Sequence, residues 1–75
     1  MAFQEAIDCY TKALEENESD YETWNKKANA LASLERNEEA IDDYDKALAI
    51  YPEYYWAWHS RGQALSKLER YSEAK

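Results

Sequence analysis

The side chains able to do chemistry are few: one His, one Cys, a short acidic run and a cluster of aromatics. His59 is the one candidate general base. Four residues to either side on a helix stand Tyr55 and Gln63, neither of them a carboxylate that would orient the ring, so it reads as a surface histidine. Cys9 follows Asp8 and has no basic neighbour to activate it, and it reads as a small buried or half-buried apolar residue. The run Asp42-Asp43-Tyr44-Asp45 has the charge of a calcium loop but neither its Gly nor its closing Glu. Solvated helix face is the better account. With a single Cys and a single His, a zinc set is also lacking, and no metal or other cofactor is expected. Tyr51, Tyr54, Tyr55 and Trp56 cluster around Pro52. Two readings stay open for them, packing of a helix junction or an amphipathic rim that contacts a partner. Nothing in this inventory points to an enzyme.

Whatever positions these residues is small. A chain of 75 residues and 8.8 kDa buries only about 60% of the surface its unfolded form exposes, which excludes a large enzyme with a deep cofactor cleft. One Gly, one Pro, 45% hydrophobic and 33% charged residues favour helices joined by tight connections. Sixteen acidic against nine basic side chains leave a net charge of −7, which repels phosphate backbones and anionic lipid; no nucleic acid and no membrane are expected as partners. No basic segment leads into an apolar run, and no eighteen apolar residues stand together. A soluble, cytoplasmic protein in a reducing compartment is the expectation.

The chain repeats itself. Residues 4–15 and 38–49 share eight identities in twelve at an offset of 34, and the same offset carries Tyr21, Trp24, Ala30, Leu31 and Leu34 onto Tyr55, Trp58, Ala64, Leu65 and Leu68. Within each period the apolar spacing is helical, as in Trp24, Ala28, Leu31 and Leu34 or Ala6, Ile7, Tyr10, Ala13 and Leu14. Four helices are predicted over 3–16, 20–34, 38–50 and 53–69, forming one domain over 1–75. Ser19 and Glu22 make a capping box opening the second helix near Asp20, Asn37 caps the third, and Pro52 stops the third and lets the fourth begin near Glu53.

These residues resemble the tetratricopeptide repeat, through Trp24, Ala28, Ala40, Tyr44 and Pro52 in one period, Trp58, Gly62 and Ala74 in the next, and Ala6 and Tyr10 in the one before. Lys27 and Arg61 depart from the pattern, standing where it usually has Leu; a long cation can lay its stem on apolar surface. The resemblance implies an all-α fold, a right-handed α-solenoid fragment of four helices in antiparallel helix-turn-helix repeats. It also implies a non-catalytic protein–protein interaction module whose concave groove holds a peptide. By position, the groove would present Glu22, Asn25, Lys26, Asn29 and Ser33 from one helix and Trp56, His59, Ser60, Gln63 and Lys67 from the next. Amides and hydroxyls suit a peptide backbone, and this strip, less acidic than the whole, suits an acidic segment or chain terminus. Of the residues with which one branch grips the carboxylate of chaperone tails, only Asn29 is present, so chaperone binding is not expected.

The phase of the repeat carries a second expectation. The chain opens on the second helix of a unit and ends on a first, one whole unit between two halves. Ile7, Tyr10 and Leu14 at one end, and Trp58, Leu65, Leu68 and Tyr71 at the other, would then lie bare and favour self-association, as a head-to-tail stack, a symmetric dimer or a domain-swapped pair. A self-assembling structural unit without a separate ligand is therefore the alternative function. The turns Leu34-Glu35-Arg36-Asn37 and Leu68-Glu69-Arg70-Tyr71 lack the Gly that usually ends a helix. An ordinary hairpin with Asn37 at positive φ, or a straightened long helix, are both open.

Overall fold

A computed structural model describes the backbone over residues 3–73 and the side chains over residues 4–69. The apolar spacing is realised as four helices, α1 (Phe3–Glu16), α2 (Tyr21–Ser33), α3 (Asn37–Ile50) and α4 (Tyr55–Glu73), with no strand among the described residues. Consecutive helices pack on one another, α1 on α2, α2 on α3 and α3 on α4, while α2 and α4 touch only lightly. The core lies along this stack and is built largely of alanine. Ala28, Ala40, Ala47 and Ala57 have no exposed surface, and Leu31, Leu48, Ile7 and Tyr44 fill the space between them. Small side chains let helix axes approach closely, so backbone and Cβ atoms make the dispersion contacts that larger side chains make elsewhere.

The repeat's tryptophan does more than fill space. Trp24 donates its indole N–H to the Glu18 carbonyl at 2.9 Å, and Trp58 donates to the Pro52 carbonyl at 2.7 Å. Each ring thus ties its own helix to the turn that precedes it. Asp20 caps α2, its carboxylate accepting from the Thr23 backbone N–H at 3.3 Å and from the Thr23 hydroxyl at 2.7 Å. The expected capping box is therefore displaced by one residue, because the Asp20–Thr23 pair supplies two bonds at the helix start. Those bonds hold the Asp20 carboxyl below its ordinary value, the Thr23 hydroxyl contributing most.

Two expectations about the turn between α2 and α3 are corrected. Asn37 is not a cap but the first residue of α3, and Arg36 holds the cap position without a side-chain bond. The positive φ falls on Glu35, at 63°. Glu35 N–H donates to the Ala32 carbonyl and Arg36 N–H to the Leu31 carbonyl, both at 2.9 Å. That is a Schellman ending built without glycine. The matching Leu-Glu-Arg of the second period does not turn: α4 runs helically through it to Glu73, past the predicted end at 69. Glu and Arg are good helix formers, and in the first period the packing of α3 on α2 overrides them; the described residues include no such helix beyond α4. α4 also starts at Tyr55 instead of Glu53, since Tyr54 N–H closes a turn onto the Tyr51 carbonyl at 3.1 Å.

The bare face expected on α1 is corrected as well. Ile7 and Leu14 are 6% and 4% exposed, because they sit on the side of α1 that packs against α2. Cys9, expected buried or half-buried, is exposed. On α4 the expectation fits better: Trp58 and Leu65 are 52% and 37% exposed, Leu68 is half-buried, and the Tyr71 side chain lies outside the described residues. A left-handed L-residue costs roughly 1–2 kcal/mol. Replacing Glu35→Gly should therefore stabilise the chain by up to about 1 kcal/mol after the entropy of glycine is deducted, read as a raised thermal midpoint.

Candidate functional site

α2 and α4 flank a groove whose floor is α3, with a cavity of about 270 Å³ lined by Asn29, Ala32, Ser33, Asn37, Tyr44, Ser60, Gln63, Ala64 and Lys67. The floor is set first. Tyr44 is 1% exposed, held between the alanines of the core. Its phenol donates to Asn29 Oδ1 at 2.5 Å and is also hydrogen-bonded by the Ser60 side chain; burial pushes the phenol's pKa up, the Ser60 bond opposing it. A neutral phenol between α2 and α4 fixes both groove walls. With its Oδ1 taken, Asn29 has its amide N–H groups left to offer as donors.

Of the ten residues expected to line a peptide groove, the structure brings Asn29, Ser33, Ser60, Gln63 and Lys67 around this cavity. Asn25 does not: it is 7% exposed, and its side chain is engaged with the Tyr54 hydroxyl. Lys26, Trp56 and His59 are exposed but outside the cavity. His59 stacks on Tyr55 with ring centroids 5.9 Å apart, and its Nε2 lies 3.4 Å from Gln63 Nε2. Its neighbours are thus a ring and an amide, an arrangement suited to contact and not to proton transfer. Among the described residues no group of three or more His, Cys, Asp or Glu could hold a metal, and no helix is long and apolar enough to cross a membrane.

The four aromatics around Pro52 divide. Tyr51 and Tyr54 pack the junction, their rings 5.0 and 4.9 Å from that of Tyr21. Tyr55 and Trp56 are 64% and 61% exposed and meet edge to face at 5.5 Å. The packing reading thus holds for Tyr51 and Tyr54, while Tyr55 and Trp56 are left exposed.

The acidic run also divides. Asp42 and Asp45 are exposed as expected, whereas Asp43 is 9% exposed, a correction to its reading as solvated face. It faces Lys27 Nζ at 3.7 Å, and Lys27 lies over the Trp24 ring. Arg61, the counterpart of Lys27, lies over Trp58 and meets Asp45 at 2.6 Å. Each cation therefore holds its charged head both over the repeat's tryptophan and against an acid from α3. Two signals missed in the sequence were Asn37, read as a cap although its counterpart Tyr71 is a core-sized residue, and the pairing of each departing cation with an α3 acid.

Burial raises the Asp43 carboxyl above its ordinary value, and Lys27 offsets this only in part. A carboxyl with a raised folded pKa binds more protons folded than unfolded, so stability falls as pH rises from the ordinary 3.8 through the folded value. Asp43→Asn removes that loss. The variant's stability relative to the wild type should be greatest at neutral pH and should shrink on acidification, as measured by denaturant midpoints at the two extremes.

Two family models match the chain, both described as tetratricopeptide repeat, one over residues 21–54 and the other over residues 43–75. No curated protein matches the sequence.

Proposed function

The chain belongs to the tetratricopeptide repeat family, whose repeats are generally non-catalytic modules of protein–protein interaction, and on that premise we propose that it binds an extended peptide segment in the groove between α2 and α4. The observation that carries this reading is the convergence of Asn29, Ser33, Ser60 and Gln63 on one open cavity, with Tyr44 holding the walls in register. A peptide backbone offers a donor and an acceptor at each residue, and amides and hydroxyls can answer both without the cost of burying a charge. Lys67 at the same cavity favours a segment with an acidic side chain nearby, and the exposed Tyr55 and Trp56 extend the contact surface beyond the cavity. A ligand selected from a random peptide library on the full chain should lose about tenfold in affinity on Asn29→Ala combined with Gln63→Ala, with helicity unchanged by circular dichroism. Selection of peptides indifferent to both changes would place binding elsewhere.

A second reading, self-assembly, is favoured by a contrast between the periods. Leu31 is 3% exposed but Leu65 is 37% exposed. Where Ala28 is sealed by α3, a Cβ added at Gly62 would meet nothing within 4 Å. The mirror-image contrast occurs on α1, where Cys9 and Ala13 are exposed while their counterparts Asp43 and Ala47 are buried. The outer face of α1 in one copy thus corresponds in the repeat to the face by which α3 covers α2, and would cover α4 of another. Trp58→Asp with Leu65→Asp should lower the apparent mass of the chain in sedimentation at high concentration while leaving the peptide groove intact; a wild-type mass that does not change with concentration would remove this reading.

A further inference from the structure

Asn37 is 1% exposed, and neither its Oδ1 nor its Nδ2 has a hydrogen-bond partner. Buried amides are nearly always satisfied, so a residue that leaves both a donor and an acceptor unmet is a functional signal. Its place in the repeat accounts for the space around it. At an offset of 34 the other period has Tyr71, so a short amide stands here where the second copy has a ring. The room so released belongs to the groove cavity, of which Asn37 is a lining residue beside Ala32, Ser33, Ala64 and Lys67.

We propose that this part of the groove is a subsite for a carboxamide side chain, that of a glutamine or asparagine in the bound peptide. The inference rests on the groove reading and adds to it the identity of one ligand group. Chemistry selects the group. A carboxylate would meet the Asn37 Oδ1 as an uncompensated like dipole, an ammonium would leave that oxygen satisfied but confront the N–H groups, and an alkyl group would satisfy neither. Only a carboxamide, or a peptide group turned inward, carries a donor and an acceptor side by side in the complementary sense. The methyl groups of Ala32 and Ala64 provide apolar wall for the methylene stem, and Ser33 and Lys67, both exposed, stand among the groups an incoming side chain must displace to reach the amide.

The test uses the full chain with two blocked tripeptides, acetyl-Ala-Gln-Ala-N-methylamide and its near-isosteric methionine counterpart, followed by the side-chain amide resonances of Asn29, Asn37 and Gln63. The glutamine probe should shift all three and the methionine probe only Asn29 and Gln63, and Asn37→Leu should weaken the glutamine probe by about tenfold while raising the thermal midpoint of the free chain. A lower midpoint for Asn37→Leu would mean that the amide serves the core and overturn the inference. Shifts at Asn29 and Gln63 without any at Asn37 when the glutamine probe is added would overturn it while leaving the groove reading standing. Silence at all three with both probes would end both.

Discussion

The close approach of α3 to the helices on either side is the constraint on which the rest depends. Ala40 and Ala47 on α3, Ala28 on α2, and Ala57 and Ala64 on α4 lie buried in one cluster, so that small side chains fill the helix interfaces. At such a contact a larger residue has nowhere to go, and overpacking costs about 1–3 kcal/mol. Tyr44 is the exception the geometry admits. It sits between the alanines with its ring in the core and its hydroxyl emerging on the groove side, where it meets Asn29. One side chain therefore transmits the spacing of the core to the spacing of the groove walls. The core is what makes the groove a fixed shape.

Helix existence and order were legible in the sequence because alanine and leucine at steps of three and four leave few alternatives, and α1 was legible to the residue. What periodicity does not encode is which flank of an amphipathic helix finds a partner. Ile7 and Leu14 belong to the flank that α2 covers, whereas Cys9 and Ala13 belong to the one it leaves, and both flanks look apolar on a helical wheel. Caps were legible as a neighbourhood but not as residues. Ser19 and Asp20 are both good caps, and the choice between them is made by Thr23, whose hydroxyl returns a bond to Asp20 alone. Of the groove residues, Asn29, Ser60, Gln63 and Lys67 follow from repeat position, but Asn25 is drawn inward by Tyr54, an aromatic peculiar to one period. The same Leu-Glu-Arg turns in one place and stays helical in the other, which shows tertiary packing outweighing local preference.

Charge is used locally in a way the net value hides. A chain of net charge −7 has its nine cations outnumbered, yet Lys27 and Arg61 are each held at the interface with α3 by an acid and a tryptophan. In a family position usually given to leucine, a cationic head set over an indole gains a cation–π attraction in place of apolar contact, and it takes a counter-ion because it is partly out of water. The two pairs differ in consequence. Asp45 is exposed, so its bond to Arg61 is worth no more than a surface ion pair, about 0–1 kcal/mol. Asp43 is buried, and desolvation outweighs what Lys27 returns.

Asp43 and Asn37 are thus both polar groups in places where an apolar residue would be cheaper, and comparing them separates two kinds of cost. Asp43 has a partner within 3.7 Å, so its penalty is partly returned inside the folded chain and its presence is accounted for by the cation opposite. Asn37 has none, and an unmet buried amide costs about 1–3 kcal/mol, a sizeable share of the roughly 5–15 kcal/mol that holds a small domain together. Leucine at that position would continue the helix, fill the space and remove the penalty. A residue that lowers the stability of the free chain and lines the one cavity that also gathers Asn29, Ser60 and Gln63 is best explained by a bound state in which its two bonds are made.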